Sequence, residues 1–241
     1  MLCERKALVL LQMRKNMIEK EKRLTLFAGH YGSGKTNIAV NYAIYLAKMG
    51  RKVCIADLDI VNPYFRTKDS EEELREFGIE LISPHYANSN VDLPALPAES
   101  YRLVQDKSVY GIMYIGGDDR GAYALGRFKD YILKENDYRM VFVANCYRPL
   151  TETAEDTFEI MREIEAASGI KFTCIVNNSN LGGETDKDTV LGSLPYIQKL
   201  SELSGLPVWM HTAEKTVAEE LSELPVLPLT LQKKYFALPK A

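Results

Sequence analysis

Short apolar runs alternate with amphipathic stretches along most of this chain. The runs are Leu24–Ala28, Val53–Ala56, Ile79–Ile82, Ile112–Ile115, Met140–Ala144, Phe172–Val176 and Leu206–Met210. Between most of them lie segments with helical spacing: Thr36–Met49, Ser70–Phe77, Ala98–Gln105, Tyr123–Lys134, Thr153–Ala167 and Thr189–Leu203. In the first of these, Ile38, Tyr42 and Tyr45 share one face and Ala39, Ala43 and Leu46 its neighbour, with Gly50 at the C-terminal cap position. Strands that alternate with helices build a mainly parallel sheet covered on both faces. The expected fold is therefore α/β, a three-layer doubly wound sheet of about seven strands. Residues 1–23 read as a charged helical extension, 24–222 as the α/β domain and 223–241, with three prolines, as a tail packed on it.

The 241 residues suit one large α/β domain. Thirty basic against 33 acidic residues leave a net charge of −3, so there is no overall basic field for nucleic acid. Cys3, Cys54, Cys146 and Cys174 are far apart and form no CxxC, which argues against a disulfide framework, a zinc knuckle or a bridging iron–sulfur cluster. No apolar run approaches the roughly 20 residues a membrane span needs. Ala7–Leu11 is soon followed by charge, without a small-residue cleavage site, so the expected location is cytoplasmic.

The segment Gly29-His30-Tyr31-Gly32-Ser33-Gly34-Lys35-Thr36 fits GxxxxGK[ST], with a strand-like run before it and a helix after it. Glycines let backbone N–H groups turn inward around phosphate oxygens, and the helix N-terminus adds partial positive charge. Lys35 then reaches the β- and γ-phosphates, and the Thr36 hydroxyl is offered to Mg²⁺. The next strand ends in Ala56-Asp57-Leu58-Asp59. Residues two apart in a strand share a face, so Asp57 and Asp59 both face the phosphate loop, one suited to the metal and the other to an attacking water.

The loop, its helix and CIADLDIVNPYFR together resemble the ParA/MinD group of P-loop ATPases, in the wider class with CobQ/CobB-type and nitrogenase iron-protein-like proteins. The resemblance runs from Leu24 to about Leu221. It implies an ATP- and ADP-binding, Mg²⁺-dependent switch that hydrolyses ATP slowly, works as a homodimer and acts on a protein partner. By the same resemblance Gly29, Gly32, Ser33, Gly34, Lys35, Thr36 and Asn37 bind phosphate, Asp57 supports Mg²⁺ and Asp59 assists hydrolysis. Asn177 contacts adenine, and the turn His211-Thr212-Ala213 flanks the base.

The chain departs from the family pattern in three places. His30 stands where members commonly carry a signature lysine used across a dimer interface, and Asn37 stands where a second Thr is usual. In Gly116-Gly117-Asp118-Asp119-Arg120-Gly121 the usual spacing puts Gly117 at the acidic position; Asp118, which fits DxxG, is the candidate metal-side carboxylate, and a plain acidic turn is the other reading.

Other functions remain open at this level. A GTPase metallochaperone would read guanine through NKxD, whereas Asn177-Asn178-Ser179-Asn180 lacks both Lys and Asp. An ATP-using synthetase or kinase would need an acceptor pocket, for which Val61–Asp106, with Arg66 and His85, is the candidate. Neither nucleic acid nor membrane has a strong signal.

Overall fold

The computed structural model describes residues 21–58, 68–82, 98–116 and 119–231. Eight strands form one sheet: β1 (Leu24–Ala28), β2 (Val53–Leu58), β3 (Glu80–Ile82), β4 (Tyr110–Ile115), β5 (Tyr138–Ala144), β6 (Cys174–Asn177), β7 (Val208–Glu214) and β8 (Val226–Leu229). Their order is β3-β2-β4-β1-β5-β6-β7-β8, and every pair is parallel. The helices are α1 (Lys35–Lys48), α2 (Lys68–Glu76), α3 (Arg102–Gln105), α4 (Asp119–Gly126), α5 (Lys129–Glu135), α6 (Ala154–Ser168), α7 (Lys187–Gly192), α8 (Leu194–Ser204) and α9 (Lys215–Glu220).

Strands covered on both faces read as continuous apolar runs, and β1 and β2 are buried at every residue. Alternation sorts them into two cores. Leu24, Leu26 and Ala28 join Phe128, Phe142, Met161 and Leu200 beneath one layer of helices. Phe27, Val53 and Ile55 join Ile38, Tyr42 and Leu46 of α1 beneath the other. Trp209 packs partly buried against this second core, edge-on to Tyr42 at 5.3 Å, with the Arg139 guanidinium 4.0 Å above its ring.

Two expected helices are each broken in two. Tyr123–Lys134 divides where buried Phe128 turns into the core between α4 and α5. Thr189–Leu203 divides at Ser193, where Pro195 opens α8; α7 is fixed ahead of it by a capping box between Asp186 and Thr189.

The expected tail contributes the eighth strand. Leu227 and Leu229 turn into the core while Pro228 faces out, an arrangement open to proline at a sheet edge. Asn41 of α1 clamps its end, donating to Thr230 O at 3.0 Å and accepting from Thr230 N at 2.8 Å. Of the expected extension only residues 21–23 are described. Arg23 is buried, donates to the carbonyls of Leu103, Asp106 and Val109, and is ion-paired with Glu135.

Candidate functional site

Ligands of open parallel sheets sit beyond the strand C-termini, where the chain folds to either side of a central strand. Here that strand is β1, flanked by β4 and β5. The loop Gly29–Gly34 leaves its end and enters α1. Three of its glycines have positive φ: Gly29 at 150°, Gly32 at 75° and Gly34 at 90°. A Cβ on Gly29 would come within 2.5 Å of the Val143 carbonyl oxygen, and one on Gly34 would overlap the Asn178 side-chain nitrogen. Backbone of this shape, packed this closely, requires glycine for space as well as for conformation.

No side chain caps the N-terminus of α1, so its first N–H groups are available to an anion. The Lys35 ammonium is buried and donates to Gly29 O at 2.9 Å and His30 O at 3.0 Å, which holds it over the loop. Thr36 is buried on the first turn, and the Ser33 hydroxyl is buried without a described partner. Asn37 is half-buried, and its carbonyl accepts from Asn41 one turn on at 2.8 Å. Asp57 is buried at the end of β2, beside Tyr114 of β4. Asp59 and Asp118 lie outside the described residues, as do Arg66 and His85.

These features fit a magnesium–nucleotide pair. Hard Mg²⁺ is commonly held by one or two protein oxygens with phosphate and water completing its shell, and Thr36 and Asp57 supply a hydroxyl and a carboxylate of that kind. The described residues hold no group of three or more His, Cys, Asp or Glu side chains suited to a metal, so a dedicated transition-metal cage is absent among them.

His30 remains near the loop crest. Burial, and after it the Lys35 ammonium, hold its pKa below the ordinary histidine value, which favours the neutral imidazole. A neutral ring does not reproduce a permanent lysine cation at this position.

Of the residues expected at the base, Asn177 ends its strand as expected, and the three expected in a turn are placed differently. His211, Thr212 and Ala213 are buried within β7 rather than in a turn after it, because the strand continues to Glu214 against β8. Asn177 is engaged at both ends of its amide. Its oxygen accepts from Ser179 N at 3.1 Å, and its nitrogen donates to Ser193 Oγ at 2.8 Å and pairs with His211 Nδ1 at 3.1 Å. Burial lowers the His211 pKa, consistent with a neutral ring accepting at Nδ1.

Sequence reasoning passed over Asn178, the residue that meets the phosphate loop. Its amide nitrogen donates to Ser33 O at 2.6 Å, and its oxygen accepts the Thr212 hydroxyl at 2.5 Å. It also passed over Asn145, in the loop after β5, and gave Arg148, at the ligand edge of the sheet before Pro149, only a loop-shaping part. Asn145 Oδ1 accepts from Tyr147 N at 3.0 Å and Asn180 N at 3.3 Å, joining that loop to the one after β6. Arg148 Nε donates to Gly32 O at 3.1 Å. The available signal was a polar cluster directly following each buried strand.

A parallel α/β sheet with this loop at its central strand defines a P-loop nucleoside-triphosphate-binding protein. The CobQ/CobB/MinD/ParA nucleotide-binding domain family matches residues 24–207, and the chain belongs to that family. No curated protein matches it. Its fold is similar to FtsY from Mycoplasma mycoides (TM-score 0.53, 18% identity, covering 83% of this chain and 62% of that one). It is also similar to the signal recognition particle receptor FtsY from Elizabethkingia anophelis (0.56, 15%, 95% and 71%). A third similar structure is the signal recognition particle 54 kDa protein from Aeropyrum pernix K1 in complex with GDP (0.51, 18%, 80% and 41%). The chain thus spans about three-fifths of the Mycoplasma protein and two-fifths of the Aeropyrum one. At these identities the likeness is one of fold. No described helix is long and apolar enough to cross a membrane.

Proposed function

We propose that this chain is an Mg²⁺-dependent ATP-binding switch that hydrolyses ATP slowly to ADP and phosphate, dimerises with ATP bound and is read by a protein partner. The observation that carries the reading is the phosphate loop. Its glycines are closely confined by Val143 and Asn178, and it leads into an uncapped helix with Lys35 and Thr36 in its first turn. Family membership supports the same chemistry.

In this reading the backbone N–H groups of Gly32, Ser33 and Gly34 cradle phosphate oxygens, and Lys35 exchanges its two carbonyl partners for the β- and γ-phosphates. Thr36 and Asp57 hold Mg²⁺, which when bound offsets phosphate charge. Asp59 orients the water. The water oxygen bonds to the γ-phosphorus as the bond to the β–γ bridging oxygen breaks. The electron pair leaves with ADP, and the water proton ends on the released phosphate.

The base preference rests on an absent carboxylate. A guanine reader needs an acid three residues after its asparagine, to accept from the guanine N1–H and amino group. Counting from Asn177 that position is Asn180, and counting from Asn178, the asparagine in contact with the loop, it is Leu181. Adenine asks for no such acid. The GDP-bound structures of similar fold make guanine the alternative to test.

The experiment is the solution mass of Asp59→Ala protein by light scattering, with Mg-ATP, with Mg-GTP and without nucleotide, alongside calorimetric titration of wild type and Lys35→Ala. ATP alone is expected to double the mass, and Lys35→Ala to lose binding. Unchanged ATP affinity in Lys35→Ala removes the phosphate-loop assignment, and a response to GTP alone overturns the base assignment. ATP binding at constant mass rejects the dimeric switch in favour of an enzyme acting on a small metabolite.

A further inference from the structure

The Arg148 side chain lies against the phosphate loop at Gly32. Its Nε donates to Gly32 O at 3.1 Å, and a Cβ on Gly32 would sit 3.6 Å from its Cδ. Among the described residues that is its one side-chain hydrogen bond. Its terminal nitrogens have no acceptor among the described residues, and no described carboxylate pairs with it. A half-buried guanidinium with most of its donors unused stands in contact with the loop that cradles phosphate.

The segment carrying it is anchored at many points. Arg148 O accepts from Thr151 N at 3.1 Å and from Thr151 Oγ1 at 3.2 Å. Thr151 Oγ1 also donates to Asn145 O at 2.8 Å. Cys146 N donates to Ser179 Oγ at 3.1 Å, and the Tyr147 hydroxyl to Thr189 O at 2.8 Å. Pro149 fixes its own φ, and Leu150 follows at φ +68° with its side chain exposed. Left-handed backbone at a leucine persists where the surroundings over-determine it, and such strain gathers at ligand clamps.

Charge gives the anchored arm a purpose. A triphosphate bound to one Mg²⁺ keeps roughly two negative charges, and one lysine cancels only part of that. Burial and, after it, Lys35 disfavour the charged form of His30, so Lys35 is the loop's principal cation. Guanidinium presents planar, paired donors that match phosphate oxygens, and it stays charged at every working pH.

We propose that Arg148 is a phosphate-binding residue of the nucleotide site, delivered by the β5–α6 loop of the same chain, with its Nε on Gly32 O and its terminal nitrogens on the polyphosphate. This rests on the phosphate-loop reading above. Because the ligand chemistry is that of the phosphates, the effect is the same whichever base the site prefers.

The test is calorimetric titration of the full chain with Mg-ATP and with Mg-GTP, for wild type, Arg148→Ala, Arg148→Gln, Arg148→Lys and Lys35→Ala, at two salt concentrations. Arg148→Ala is expected to weaken triphosphate binding about tenfold or more and to flatten its salt dependence. Arg148→Gln, which keeps a donor for Gly32 O without charge, should match Arg148→Ala, whereas Arg148→Lys should recover most of the loss. Wild-type affinity in Arg148→Ala beside lost binding in Lys35→Ala overturns this proposal and leaves the phosphate loop standing. Recovery by Gln as complete as by Lys also overturns it, since the residue is then a brace for Gly32. Unchanged affinity in both Lys35→Ala and Arg148→Ala, or a wild type that binds neither triphosphate, removes the loop assignment and this proposal with it. Matching thermal midpoints of the Arg148 variants exclude misfolding.

Discussion

The Asn178 side chain is shared between Ser33 and Thr212: it donates to the carbonyl of the phosphate loop at 2.6 Å and accepts the hydroxyl of β7 at 2.5 Å. It is buried, so neither bond has water as a ready substitute. Truncation removes the donor on the buried Ser33 carbonyl, at about 1–3 kcal/mol, while the Thr212 hydroxyl keeps Asn177 O at 3.4 Å. Asn178→Ala is therefore expected to lower unfolding free energy by about 1–3 kcal/mol and to weaken nucleotide binding as well. Chemical denaturation and calorimetry on the same samples check both effects. A stability loss with unchanged nucleotide affinity would show that the bridge serves packing alone.

Two glycines separate conformational strain from lack of room. Gly182 has φ +69° with nothing within 4 Å of a Cβ, whereas Gly29 has φ +150° with the Val143 carbonyl oxygen at 2.5 Å. Gly182→Ala should cost about 1 kcal/mol, the ordinary penalty of an L side chain in left-handed backbone. Gly29→Ala must also displace a backbone carbonyl, so a clearly larger loss, about 3 kcal/mol or more, is expected together with loss of nucleotide binding. Equal losses in the two variants, read from denaturant midpoints, would contradict the crowding at Gly29.

His211 makes stability fall on acidification. Burial lowers its folded pKa, and protonation of Nδ1 would end its pairing with the Asn177 amide nitrogen. The unfolded chain binds the proton first, near pH 6.5, so the folded state loses stability as pH falls from about 7 towards its own lower pKa. The lowered pKa of His30 acts in the same direction. His211→Gln should flatten the fall in unfolding free energy between about pH 7 and pH 5. An unchanged slope, measured by urea titration across that range, would reject the assignment.

The fold was legible because burial on both faces writes parallel strands as bare apolar runs, and Leu24–Ala28 and Val53–Leu58 lie within a residue or two of where such runs predict them. The edge was harder to read. Val226–Leu229 carries a proline, which argues against a strand until its outward-facing edge position is known. The phosphate loop was legible because its glycines and lysine are fixed by local geometry. Asn178 and Arg148 were not, because their partners Ser33 and Gly32 lie 145 and 116 positions away, and only the sheet order brings them together. The family resemblance made Asn177 the base contact; at the end of β6 its amide meets Ser179, Ser193 and His211, contacts that the sequence did not show.

The central place of β1 has a consequence for synthesis on the ribosome. Leu24 pairs with Gly111 on one side and Tyr138 on the other, so the strand leading into the phosphate loop has no neighbour until chain 87 and 114 residues further on has emerged. Long-range parallel pairing of this kind is slow, and it exposes apolar strands while it waits. The loop's own supports come later still, Arg148 after β5 and Asn178 after β6. A nascent chain that ends before Asn178 therefore carries the phosphate-binding sequence without the means to shape it. Nucleotide capture belongs to the last stage of folding, when it can also act as a clamp on the finished sheet.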